Sequence, residues 1–345
     1  MDFSFTNDQQ LLRQTAHDVI ADVFRPDRIR GALDDVAGLV RLDMWSELAE
    51  LGWSGVLIPE ANGGSGGSVV DACILAEELA SGLAPVPFVG TAIGVAGVAI
   101  AVGDEQVQRD VAAGSPLSLV LDRRLCWPAA DSSLGWDWLP GSEAVLVAGD
   151  ERLDRRRPTP LRFELTDPLH PLAVFDDLGV AQVVCSEAMR RAVAVMRVGV
   201  AASAVGLARA ALHEAVEYSK ERVQYGHPIA EFQAIQHICA DMLVNVETSA
   251  STAYGAAWVV EHEPVSEAER VAASAVGWCV PAAIRTIEEG IQVLGGIGVT
   301  WEHDAHLRLR HGQLLSRLLG GVNAALELLA QQSLRLGEEV ARGSA

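Results

Sequence analysis

The chain has 345 residues, enough for one large core or two to three smaller ones, so no disulfide or metal staple is needed for it to fold. Half of its residues are hydrophobic and only 5% are aromatic. The interior must therefore be filled by Ala, Val, Leu and Ile, a composition of closely packed helices that argues against an all-β fold. A formal charge of −20 and a pI near 4.8 exclude a nucleic-acid partner, because that affinity depends on Lys and Arg displacing counterions.

The chain opens MDFSFTNDQQ, with acid and amide groups where a secretory leader would carry Lys or Arg and an apolar run. From Asp8 to about Ala113 apolar residues recur three and four apart, as in LLRQTAHDVIADVF and MWSELAELGW, which predicts an all-α unit over residues 1–113. Pro59, the GGSGGS run at 63–68, Pro85 and Pro87 punctuate it. GGSGGS lacks the GK[ST] of a phosphate loop and reads as a connecting turn. The uncharged stretch Phe88–Gly103 is shorter than the roughly 20 residues a bilayer span needs, so a buried helix is expected there and no membrane span.

Between residues 114 and 188 short apolar runs, LSLVL, AVLVA and AQVVC, are separated by Pro, Gly, Asp and Arg and predict a small β domain. Trp127, Trp136 and Trp138 in RRLCWPAADSSLGWDWLPG are expected to pack its core. From 189 to 345 helical periodicity returns in four segments, about Ala192–Arg222, Ile229–Val260, Ser266–Leu294 and Asp304 to the end, an antiparallel four-helix bundle. The fold class is thus mainly α with a small β domain. Cys73, Cys126, Cys185, Cys239 and Cys279 are scattered and odd in number, as in a reducing cytoplasm. No metal site is expected: His237 and Asp241 share a helix face, but two ligands do not close a site. The acids of WEHDAH (301–306) are accounted for by a helix start.

An α, then β, then α-bundle order is uncommon, and three segments give it a precedent. LGWSGVLIPEANGGSGGS (51–68), YSKERVQYGHPIAEFQAIQHICADM (218–242) and IQVLGGIGVTWEHDAHLRLR (291–310) resemble, in order and spacing, signatures of the acyl-CoA dehydrogenase family. The resemblance spans nearly the whole chain. It implies an FAD enzyme that removes two hydrogens from adjacent carbons of an acyl-CoA thioester, passing electrons to an electron-transfer flavoprotein. It further implies that Arg222, Gln224, Tyr225, Gln292, Gly295 and Gly296 contact the FAD of a neighbouring subunit. The chemistry of those types agrees: a guanidinium fork suits pyrophosphate, and paired glycines admit close backbone approach. Taken alone, RVQYG also has the composition of an ordinary helix end, and GGIG that of a helix-ending turn.

The resemblance also exposes a loss. The family carries its catalytic carboxylate at one of two sites, and counting from the matched motifs places Leu319 at one and Met196 at the other. Neither accepts a proton. The middle domain is short, and the family's flavin-lining segments have no convincing counterparts in it. This pattern resembles the base-less chain of actinobacterial heterotetramers that dehydrogenate steroid CoA thioesters, in which a catalytic subunit of the same family supplies the base. That reading expects a heteromeric, cytoplasmic enzyme of lipid metabolism, in steroid degradation or fatty acid beta-oxidation. Three alternatives stay open: a self-sufficient homotetramer with its base displaced to Glu327, Glu261 or Glu302, a flavin-free scaffold on the same fold, and a flavin oxidase or hydroxylase on that fold, which no residue favours.

Overall fold

A computed structural model describes residues 4–35, 37–122, 124–127, 134–147, 152–176, 178 and 186–343. The N-terminal helices are α1 (Asn7–Val23), α2 (Pro26–Asp34), α3 (Leu39–Glu50), α4 (Val69–Ser81), α5 (Ala96–Val102) and α6 (Glu105–Ala112). Local chemistry sets their starts. Thr6 with Gln9 and Ser68 with Asp71 form reciprocal capping boxes at α1 and α4, and Pro26 occupies the first turn of α2. GGSGGS is the expected connecting turn. A Cβ on Gly64 would run into the Ile58 carbonyl, so the loop folds back on itself only with glycine there. Phe88–Val95 forms a π-helix, nearly all buried, that continues into α5, where Ala96, Val98 and Ala99 are buried. It is the helix expected of that uncharged stretch.

The sheet has six strands: β1 (Leu117–Leu121), β2 (Leu134–Gly135), β3 (Glu143–Val147), β4 (Leu153–Arg156), β5 (Arg162–Glu164) and β6 (Leu172–Val174). Their order is β4-β3-β1-β2-β6-β5, with β1 and β3 parallel and the other neighbours antiparallel. LSLVL and AVLVA supply β1 and β3 as expected, while AQVVC (181–185) and Cys185 lie outside the described residues. Trp127, Trp136 and Trp138 are buried, Trp138 edge-on to Phe175 with ring centroids 4.9 Å apart.

The C-terminal helices are α7 (Glu187–Glu221), α8 (Gln233–His262), α9 (Val265–Leu294), α10 (Ala305–Leu315) and α11 (Gly321–Gly343); a two-residue hairpin, β7 (Val223–Gln224) and β8 (His227–Pro228), joins α7 to α8. Among the described residues α7 alone is long and apolar enough to cross a membrane, and 78% of its apolar window is buried inside the fold. It is apolar nearly all round because it is the central helix, flanked by α4, α5, α8 and α9. At Gly206 the α4 and α7 backbones meet so closely that a Cβ would strike the Glu77 carbonyl. The Glu77 side chain, 1% exposed, accepts from Arg13, from Arg209 (2.8 Å) and from the Tyr254 hydroxyl (2.5 Å), tying α1, α4, α7 and α8 at one point.

Two expectations need correction. The fourth bundle segment is not one helix: Leu319, Gly320 and Gly321 have φ of +56°, +85° and +71°, which no α-helix accommodates, and the chain breaks between α10 and α11. Asp304 precedes α10 without capping it by its side chain. Its carboxylate instead accepts from Arg30 of α2 at 2.7 Å, and Arg30 also binds the carbonyls of Trp301 and Glu302.

Candidate functional site

The hairpin after α7 is built as an outward-facing device. Tyr225 and Gly226, its two central residues, have φ of +53° and +84°, the sign that a type I′ turn requires at both. Asparagine or glycine usually takes the first position; tyrosine there costs about 1–2 kcal/mol. Yet Tyr225 is 92% exposed, and its ring meets only the Phe232 ring edge-on with centroids 6.4 Å apart. Arg222 and Gln224 flank it, both exposed, and among the described residues the Arg222 guanidinium makes no ion pair. The three side chains thus stand exposed on one turn.

At the far end of α9, Gln292 is exposed and Gly295 and Gly296 start the short 3₁₀ turn Gly295–Val299. Gly295 has φ +65°, and a Cβ on either glycine would meet nothing within 4 Å. The backbone here is therefore open to a group from outside the chain. One small apolar cluster supports both patches: Ala215, Met242 and Val293, with Ile229, Ile235 and Ile238 packed on them. Next to it the first turns of α8 leave Phe232, Leu243 and Val244 exposed.

The interior is the opposite. Met196 is fully buried in the middle of α7, near Gly94 of the π-helix, and Leu319 is 5% exposed in the break between α10 and α11. The cavity beside Leu318 measures about 30 Å³ and is lined by Leu79, Phe88, Val89, Trp136, Asp137, His170, Ser203 and His311, among others. That is room for a water or two, far below the roughly 300–1,000 Å³ of a pocket that encloses a ligand. Glu327, Glu261 and Glu302 are all exposed, and none lines this cavity.

The cavity does hold chemistry that no sequence spacing announced. Asp137, Asp167, His170 and His311 are all buried. Nδ1 of His170 lies 3.0 Å from Asp137 Oδ1, Nδ1 of His311 lies 2.6 Å from Asp167 Oδ2, and the two rings face one another with centroids 4.2 Å apart. Burial alone would push the His170 pKa down, but the Asp137 carboxylate outweighs it and holds the imidazole above its ordinary value. Burial and the adjacent His170 ring push His311 down. For Asp167 burial is opposed by the His311 hydrogen bond and both imidazoles, which keep the carboxyl below its ordinary range. The local DPLH sequence, with Asp167 and His170 three apart, was the one available signal; His311 is 144 residues from its partner Asp167.

A helical layer, a small mixed sheet and a helical bundle sharing one core define a mainly α protein with a small β region, and its polar turn and glycine turn face outward. Two family profiles match: "Acyl-CoA dehydrogenase, N-terminal domain" over residues 6–113 and "Acyl-CoA dehydrogenase, C-terminal domain" over residues 186–334. The chain belongs to the acyl-CoA dehydrogenase family, oxidoreductases whose cofactor is FAD. It is 31% identical over 340 residues to acyl-CoA dehydrogenase IpdE2 of Mycobacterium tuberculosis, covering 94% of this chain and 97% of that one. It is 34% identical over 291 residues to acyl-CoA dehydrogenase FadE34 of the same organism, covering 81% of this chain but only 40% of FadE34. Among solved structures, a variant of the Tcur3481-Tcur3483 steroid ACAD superposes with a TM-score of 0.81 at 24% identity, covering 97% of this chain and 99% of that one. The ChsE4-ChsE5 complex from Mycobacterium tuberculosis superposes with a TM-score of 0.79 at 22% identity, covering 99% of each chain. At such identities the superpositions establish the fold.

Proposed function

We propose that this chain is the base-less subunit of a heteromeric acyl-CoA dehydrogenase, completing the FAD site of a catalytic subunit of the same family. The observation that carries the proposal is that both positions where the resemblance expects a catalytic glutamate, Met196 and Leu319, are buried and hold a thioether and an aliphatic side chain. Neither side chain can take a thioester's α-proton. The buried acids Asp137 and Asp167 are each engaged by an imidazole.

The exposed groups fit FAD held across a subunit boundary. Arg222 would hold the pyrophosphate through its guanidinium fork, Gln224 a phosphate or ribityl oxygen, and Tyr225 would lie against an aromatic ring. Gln292, Gly295 and Gly296 would receive another part of the cofactor along open backbone, where no Cβ intervenes. When bound, FAD supplies the hydride acceptor. This chain's residues would hold and orient it, while the partner supplies the base and the substrate cavity. The exposed apolar positions Leu243 and Val244 on α8 support an interface beside those groups.

The substrate in this reading is the CoA thioester of a steroid, supported by the overlap in fold with the Tcur3481-Tcur3483 steroid ACAD. Electrons would leave through an electron-transfer flavoprotein, and the complex would act in the cytoplasm. The test is to purify the chain alone and together with the acyl-CoA dehydrogenase-like protein encoded beside it, then measure flavin absorbance, subunit stoichiometry and acyl-CoA-dependent dye reduction. Flavin and activity confined to the mixed complex are expected. Substrate-reducible flavin in the chain alone would overturn the proposal.

A further inference from the structure

We infer that Asp167, His170 and His311 form a buried binding site for a divalent transition-metal ion, zinc by the chemistry of its donors, which fastens the sheet region to the helical bundle. The three residues offer one carboxylate oxygen and two imidazole nitrogens, all within 4.8 Å of one another, and all three side chains are buried. Tetrahedral zinc with bonds of roughly 2.0–2.1 Å spaces its donors about 3.3 Å apart, so binding would exchange the hydrogen bond between His311 Nδ1 and Asp167 for a metal bond from each, with side-chain rotation. Neutral imidazole and carboxylate are ligands that zinc accepts, and with three protein ligands a fourth position is left for water. The cavity of about 30 Å³ that His170 and His311 line has the volume for that water.

Three features favour an ion over a plain hydrogen-bonded cluster. Asp137 accepts from or faces Nδ1 of His170 at 3.0 Å, the carboxylate–imidazole pairing that orients a ligating ring through its other nitrogen. Among the described residues His170 is hydrogen-bonded at Nδ1, which leaves its Nε2 as the nitrogen open to a ligand. Finally, the donors come from separate places: Asp167 and His170 from the connection between β5 and β6, and His311 from α10. An ion held by all three would cross-link segments that the chain itself does not connect.

The experiment uses the tag-free full-length chain, purified without chelator, with zinc measured by inductively coupled plasma mass spectrometry. The same measurement is made on the His170→Gln/His311→Gln double variant and on Asp137→Asn, each checked for native circular dichroism. Chelator-stripped protein is then titrated with Co²⁺ alone, whose visible bands report a tetrahedral nitrogen and oxygen environment. About one zinc per chain is expected in the wild type, with affinity falling at least roughly a hundredfold in the double variant and roughly ten- to a hundredfold in Asp137→Asn. Zinc no higher in the wild type than in the double variant would overturn the site, as would wild-type protein that gives no cobalt bands. Should the double variant not fold, the wild-type zinc content and cobalt spectrum decide the question without it.

Discussion

The interior around Met196 and Leu319 and the hairpin at Arg222–Gly226 are both places where the family resemblance puts function, and they have taken opposite courses. Met196 and Leu319 are buried, and the buried carboxylates Asp137 and Asp167 are each bound by a histidine. The hairpin keeps a strained tyrosine backbone, an exposed amide and, among the described residues, a guanidinium without an ion pair. Strain and exposed aromatic surface are selected against unless something outside uses them. The contrast is between a buried region with no acid at either expected position and an exposed turn whose polar groups face away from the chain. Leu319 itself keeps a left-handed backbone at φ +56°, so the break in the bundle persists although the side chain there is aliphatic.

The sharpest attack on this contrast is to restore an acid in the buried region. Leu319→Glu should destabilise the isolated chain by roughly 3 kcal/mol in urea denaturation, because an unpaired carboxyl would be buried. It should also give no acyl-CoA-dependent dye reduction, and activity in that variant alone would show the interior to be open. Of similar size is Glu77→Ala, which removes the shared acceptor of Arg13, Arg209 and Tyr254; about 3 kcal/mol of lost stability is expected in the same assay.

The outward region should behave otherwise. Arg222→Ala should leave urea stability of the chain within about 0.5 kcal/mol, since the exposed side chain makes no ion pair among the described residues. FAD retention in the mixed complex should nevertheless weaken roughly 10- to 100-fold, the size of a charge-assisted bond to phosphate. Equal FAD affinity in wild type and variant, measured by flavin release on dilution, would remove Arg222 from the cofactor site.

Smaller effects test burial directly. Glu289 on α9 has its carboxyl held above the ordinary range by burial and by Asp241, and Oε2 has no hydrogen bond. A raised folded-state pKa costs stability once the group must ionise, so Glu289→Gln should raise the thermal midpoint at pH 7. That advantage should shrink as pH falls through the raised pKa and vanish below the ordinary carboxylate range. Among the cysteines, burial lifts the Cys279 thiol to about 12 and raises Cys73 further, whereas Cys126 and Cys239 are partly exposed. A thiol reagent at pH 8 should modify Cys126 and Cys239 in the native protein and reach Cys73 and Cys279 only on unfolding.

Much of the fold was legible because its signals are local. Apolar spacing located α1, α3 and the bundle helices, and alternating short runs located β1 and β3, since periodicity reports which face is buried. The break at Leu319 was not legible: a single leucine with positive φ leaves no mark on periodicity, and the glycine pair after it is compatible with a simple helix end. Asp304 was misjudged for a related reason. Its position suits a cap, and only the arrival of Arg30 from 274 residues away gives its carboxylate another partner.

Composition, periodicity and the three motif segments determined the class of fold, the family and the absence of acids at 196 and 319, because each is written in residue type or in spacing along the chain. Tertiary structure decided that both positions are buried, that Tyr225 pays its strain facing outward, and that two aspartates and two histidines converge in the core. Those properties depend on which distant segments pack together, and convergence across 144 residues has no local signature.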